Sequence, residues 1–268
     1  MSNFLVVRHG DVERWTLNDP ATRNALNDSM VVALFEACLR AKHDETLRVV
    51  VLTGAAGAFC AGGSLGGFAS AIGQPLQPGE TDPLLAVNRS FGDVLHTLSE
   101  LPQLLVCAVD GPAMGGGLGL VCCADHVIAT ERSVLGTPEV TLGLPPAQIA
   151  PFVWMRLGDA AARQCLLQGR RWRAAEAKSL GLVNDLAADG ALEAALHDTL
   201  QHLNHAAPGA VASTKRLLQR LRGLVPDLRD EAALAFAAAL RGPEAEAGLG
   251  AFARKQPAPW LNSVKDGA

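Results

Sequence analysis

The stretch with the clearest chemical potential is Ala108-Val-Asp-Gly-Pro-Ala-Met-Gly-Gly-Gly-Leu-Gly-Leu120, in which three adjacent glycines separate two apolar runs. Glycines there permit backbone conformations and close approaches that a Cβ would block. A helix starting at such a turn leaves its first N–H groups without intrahelical partners, free to point at a ligand. Fixed donors aimed where negative charge develops make an oxyanion hole. A turn packed tightly for folding reasons alone would look the same. Gly57-Ala-Phe-Cys-Ala-Gly-Gly-Ser-Leu65 is a second glycine-bearing turn directly after an apolar run. Other chemistries lack their residues. No Gly-x-Gly-x-x-Gly opens a helix with an acidic residue about twenty positions on, as dinucleotide binding needs. No Gly-x-Ser-x-Gly elbow is present, Ser64 has no evident histidine partner, and Cys60 reads as a packed small residue. His9, His96 and His126 lack metal-ligand spacing, so no metal is expected.

The elements needed to hold these turns can be read in order. Phe4–Val7 and Val12–Leu17 suit a hairpin around His9-Gly10-Asp11. A helix is expected from Asp28 as N-cap, with apolar residues at Met30, Leu34, Ala37, Cys38 and Ala41. Leu47–Thr53 and Leu104–Val109 read as strands buried on both faces, each delivering one glycine turn. Gly66–Pro83 reads as loop, Leu84–Glu100 as helix, Leu118–Ala124 as helix and Asp125–Thr130 as strand. Helical patterns fill 150–180 with a break at Gly158, and Leu182–Leu186 suits a last strand. Beyond about 190 the chain is Ala/Leu-rich and helical, with Pro208, Pro226 and Pro243 at helix starts. The expected organisation is α/β, with a core over 1–190 and a helical region over 191–268.

Composition narrows the partners. The 268 residues, 49% hydrophobic, can bury a large core. A net charge of −4 argues against general nucleic-acid binding. No uninterrupted apolar stretch reaches the length of a membrane span, and Met1–Arg8 lacks the basic and long apolar regions of a signal peptide. Six cysteines in apolar runs, without a Cys-x-x-Cys pair, fit a reduced, cytoplasmic protein.

Spread over nearly the whole chain, these segments resemble the crotonase (enoyl-CoA hydratase/isomerase) superfamily. Arg23-Asn-Ala-Leu26 is similar to the segment before its first helix. Val49-Val-Val-Leu-Thr-Gly54 with Ala58-Phe-Cys-Ala-Gly-Gly63, and Ala108-Val-Asp-Gly111 with Gly115-Gly-Gly117, resemble its two oxyanion segments. Ala124-Asp-His-Val-Ile-Ala129 resembles the following strand, and Gly136-Thr-Pro-Glu139 with Leu142-Gly-Leu-Pro145 the segment of its second catalytic glutamate. Phe252-Ala-Arg-Lys-Gln-Pro-Ala-Pro-Trp260 resembles its C-terminal tail. The resemblance implies a spiral of ββα repeats, a C-terminal helical trimerisation region, and a homotrimer or homohexamer. It also implies an acyl-CoA substrate, with coenzyme A as part of the substrate and no separate cofactor. Carried over by position, the Gly63 and Gly116 N–H groups would hold the thioester oxygen, and Glu139 would be the catalytic acid/base. Arg23, Ala25, Leu26, Ala61, Arg254 and Lys255 would contact CoA, the last two from a neighbouring subunit.

The acids depart from the two-glutamate hydratase pattern. Gly119 stands where the first glutamate is expected, and Ser64 where an Asp often follows the first oxyanion segment. Hydration needs one group to activate water and one to protonate the α-carbon, a task suited to paired carboxylates. Moving a β,γ double bond to the α,β position needs one base. Residue inventory thus favours an isomerase, whereas Leu142–Phe152 resembles hydratases for branched, glutaconyl-type esters. The expectation taken is an enoyl-CoA hydratase, with Δ3,Δ2-enoyl-CoA isomerase as the alternative and a non-catalytic acyl-CoA binder third. Glu80, Asp82 and Gln148 are candidate helpers for the missing acid.

Overall fold

The computed structural model describes residues 2–260 apart from 65, 67, 68, 77, 78 and 223–226. The helix start expected at Pro226 and parts of the loop expected over 66–83 lie outside the described residues.

Strands β1 (Phe4–His9) and β2 (Val12–Leu17) form the expected antiparallel hairpin. Parallel to β2 follow β3 (Val49–Gly54), β4 (Leu104–Val109), β6 (His126–Thr130) and β9 (Asp185–Ala187), giving the sheet order β1-β2-β3-β4-β6-β9. A smaller sheet holds β5 (Pro112–Met114), β7 (Val134–Gly136) and β8 (Arg171–Arg173). Cys60 bridges to Ala113 in parallel, extending this sheet toward the first glycine turn. The chain therefore spirals. Each turn contributes a long strand to the large sheet, a short pairing to the small one, and then a helix. The helices are α2 (Pro83–Ser99), α3 (Gly116–Cys122) and α4 (Ala150–Gln168).

Burial on both faces explains the continuous apolar runs. Along β3 and β4, Val50, Leu52, Leu105, Cys107 and Val109 join the main core with α1 (Asp28–Lys42) and α2. The alternate residues Val49, Val51, Val106 and Ala108 pack instead against Leu192 and Leu196 of α6 (Leu192–Leu203). Two-residue periodicity on a strand sends neighbours to opposite layers.

Two local expectations are corrected. Asn27, not Asp28, caps α1: its side chain accepts the Met30 N–H, and Asp28 begins the helix. The 150–180 segment is not wholly helical, because β8 intervenes before α5 (Ala174–Ser179). Gly158 does break the helical geometry inside α4, with φ 69° and ψ 170°.

The tail continues with α7 (Pro208–Arg222), α8 (Arg229–Arg241) and α9 (Pro243–Ala253). Helices α8 and α9 turn back on the body. Ala237, Leu240, Ala245 and Leu249 share a cluster with Leu84 at the start of α2 and with Leu144. Among the described residues no helix is long and apolar enough to cross a membrane.

Candidate active site

The first glycine turn is zipped to the segment before α1. Ala61 N–H donates to the Arg23 carbonyl (3.0 Å), Leu26 N–H to Gly62 (2.8 Å), and Ser64 N–H to Leu26 (3.1 Å). Leu26 thus pairs with Gly63 in a parallel bridge, bonding the residues on either side of it. In that pattern the N–H of Gly63 faces away from Leu26. Asn24, fully buried with φ 59°, fastens the strip from beneath. Its side-chain amide donates to the Ala55 and Ala58 carbonyls (3.0 and 2.8 Å), and its oxygen accepts the Asp19 N–H (2.8 Å).

The triple glycine is placed by the small sheet. Met114 N–H donates to Cys60 and Gly115 N–H to Gly136, both at 2.9 Å. Gly116 is the first residue of α3, so its N–H is the next donor and has no intrahelical acceptor. Gly115 adopts φ 52° and ψ −119°, open to glycine alone, and a Cβ there would sit 2.5 Å from Glu139 Oε1.

Glu139 begins a short 3₁₀ turn, Glu139–Leu142, directly after β7. The residue is half-buried, but its Oε2 is out of solvent contact and has no hydrogen-bond partner among the described residues. Burial pushes its carboxyl up to about 7, against a smaller opposing pull from its own backbone N–H. At neutral pH this group is both a competent acid and a competent base.

Gly63, Gly116 and Glu139 line one cavity of about 920 Å³. Its walls include Leu26, Phe91, Met114, Leu144 and Ile149. Phe236 of α8 and Phe252 of α9 complete them, a contribution of the tail that helical periodicity alone did not reveal. Arg23 and Ala61 also lie on the wall, whereas Ala25 is buried and is not part of it. Arg254 and Lys255 follow α9 away from the cavity lining of this chain, with Arg254 bonded to Gln256.

Of the candidate helpers, Gln148 lines the cavity, whereas Asp82 and Glu80 do not. Asp82 caps α2 and forms a double hydrogen bond with Arg241 (2.6 and 2.7 Å), which holds its carboxyl below the usual range. Gln148 donates to Asn88 (2.9 Å) and the Arg229 carbonyl (3.0 Å). Glu80 is exposed and does not line the cavity. Among the described residues, Asp28 is the other carboxylate on the wall; it is exposed at the start of α1. No group of three or more His, Cys, Asp or Glu side chains among the described residues could hold a metal ion.

Comparison with known proteins identifies the family. The profile of the enoyl-CoA hydratase/isomerase family matches residues 8–263. The crystal structure of an enoyl-CoA hydratase/isomerase from Marinobacter aquaeolei is 39% identical, with a TM-score of 0.78 over 97% of this chain and 99% of that one. The 2,3-dehydroadipyl-CoA hydratase of Escherichia coli K12 is 32% identical over 82% of this chain and 83% of its own length. Enoyl-CoA delta isomerase 2 of Rattus norvegicus is 29% identical over 81% of this chain and 54% of its own. With the family pattern spanning nearly the whole chain and the ββα spiral matching its solved members, this protein belongs to the enoyl-CoA hydratase/isomerase family of crotonase-fold enzymes.

Proposed function

We propose that the protein hydrates a 2-enoyl-CoA ester with Glu139 as its single acid/base. The observation carrying this reading is the Glu139 carboxyl, its Oε2 unpartnered among the described residues, beside the Gly115–Gly116 turn in the cavity that Gly63 and Gly116 also line. The thioester oxygen accepts the Gly63 and Gly116 N–H groups. Ionised Glu139 takes a proton from water as the oxygen attacks C3, and electrons shift through C2 onto the thioester oxygen. The enolate then collapses, and the same Glu139 proton goes to C2. One water is added, OH at C3 and H at C2, and Glu139 returns to its ionised form. A carboxyl near pKa 7 suits both halves. Each oxyanion donor of this kind is worth about 3 kcal/mol.

Arg23, Leu26 and Ala61 lie on the strip leading to Gly63, line the cavity and are assigned to the CoA moiety. Arg254 and Lys255 are assigned to the CoA phosphates of a neighbouring subunit in a trimer or hexamer. An ester bearing a second carboxylate is supported by the Leu142–Phe152 resemblance and by the relative named for dehydroadipyl-CoA. Arg171 is the cation on the cavity wall available to it, with no acidic partner among the described residues.

The second reading, a Δ3,Δ2-enoyl-CoA isomerase, is favoured by one specific observation: Gly119 carries no acid. Glu139 would then take a proton from C2 and return it at C4. Following the absorbance of the conjugated enoyl thioester separates the two. Loss of signal from 2-enoyl esters, abolished in Glu139→Gln, supports hydration. A gain from 3-enoyl esters with 2-enoyl esters untouched overturns it in favour of isomerisation. Binding of both without turnover leaves an acyl-CoA binder.

A further inference from the structure

Gly119 is bare for a reason visible in its surroundings. A Cβ there would lie 2.4 Å from Ile149 Cγ2 and 3.2 Å from Ile149 Cβ, with Leu95 Cδ2 at 3.4 Å. Neither neighbour can give way easily, because Ile149 and Leu95 are both buried in the main core. A β-branched side chain is also stiff at χ1. Ile149 nevertheless forms part of the cavity wall. It fills the space that a side chain at position 119 would enter.

Position 119 lies three residues after Gly116 on the same face of α3, about 4.5 Å further along the axis. With the thioester oxygen on the Gly116 N–H, an acyl chain running along that face brings C3 and C4 level with Gly119. That placement rests on the function proposed above. We propose that Ile149 is the specificity-determining residue for the substituent at C3. Its Cγ2 methyl over Gly119 sets the width of the pocket at that carbon and makes this side of it apolar. A single substitution restoring an acid at 119 would therefore fail for lack of room.

The test compares esters with hydrogen, methyl or ethyl at C3, both as 2-enoyl-CoA substrates and as saturated CoA thioesters binding in calorimetry. In Ile149→Ala, which removes Cγ2, preference for the C3-ethyl over the unsubstituted ester should rise about tenfold or more, the scale of one methylene in an apolar pocket. Ile149→Val keeps Cγ2 and should shift that ratio by less than about threefold. Ile149→Leu keeps the volume without the Cγ2 methyl and puts the same question if the Ala variant does not fold. An unchanged ratio in the Ala or Leu variant, or an equal fall for all esters, overturns the assignment. A shifted binding ratio without turnover by the wild type sinks the hydratase reading and leaves this one standing. Turnover with an unmoved ratio does the reverse. Failure of the wild type to bind any of the thioesters overturns both.

Discussion

At the residue scale, Glu139 carries opposing demands of stability and chemistry. Its carboxyl is raised from 4.5 to about 7, so the native state holds a proton that the unfolded chain releases across that interval. Stability from this group is full below pH 4.5 and falls as pH rises toward 7. The loss is at most about 3 kcal/mol. Glu139→Gln, neutral at every pH, should therefore melt higher than wild type at pH 8, with the gap closing near pH 5. Calorimetric scans at the two values check it, and a constant gap would contradict the buried-carboxyl account. In the active enzyme, kcat/KM should rise with pH through about 7, and Glu139→Gln should lose about 100- to 10,000-fold. The neighbouring glycines differ in what they tolerate. A Cβ on Gly63 meets nothing within 4 Å, so Gly63→Ala should keep the urea midpoint of the wild type, a change of less than about 0.5 kcal/mol. Gly62 has φ 97° and a Cβ would lie 3.0 Å from the Met114 carbonyl oxygen. Strain of about 1–3 kcal/mol is expected in Gly62→Ala, read as a lower urea midpoint.

At the element scale, the donor strip depends on pairings between segments that are distant in sequence. Asn24 ties residues 19–26 to the turn at 55–58 through two hydrogen bonds, and a third to the Asp19 N–H holds its own segment, while its backbone keeps a left-handed conformation. Asn24→Ala removes the partner of the buried Ala58 carbonyl and of the partly buried Ala55 carbonyl and Asp19 N–H, and strains the backbone. The expected cost is about 2–4 kcal/mol in chemical denaturation. A loss below about 1 kcal/mol would show that the strip is held by other means. The loop bearing Glu139 is clamped from the opposite side by α9. Gly143 packs against the Glu244 backbone and Gly248 against the Leu142 carbonyl, contacts closer than any side chain would allow. The loop that carries Glu139 is thus packed against a helix that lies over one hundred residues away in the chain.

For the whole molecule, the tail does two jobs. Phe236 and Phe252 line the cavity, and Leu234 of α8 is turned outward, 57% exposed in the single chain. Exposed apolar side chains of this size, with Trp154 and Leu167 on α4, suit burial against further copies. Light scattering is expected to read three or six chains per particle. Arg254→Ala should then raise KM for CoA esters with little change in kcat. A monomer of full activity would refute the assignment of Arg254 and Lys255 to a neighbour's substrate.

Much of the architecture follows from local pattern. The buried strands at 49–54 and 104–109, their glycine turns, the helices from 192 onward and the break at Gly158 are all legible, because apolar periodicity and glycine act over a few residues. The inventory of acids is legible too: one glutamate at 139 and none at 119. Tertiary packing decided the rest. That Ile149 occupies the space over Gly119, that Asp82 and Gln148 are committed to Arg241 and to Asn88 with the Arg229 carbonyl, and that α8 and α9 line the cavity are contacts across tens of residues or more. The raised pKa of Glu139 belongs with them. Its cause is exclusion of water by side chains from separate parts of the chain, and desolvation depends on three-dimensional neighbours, which no local spacing encodes.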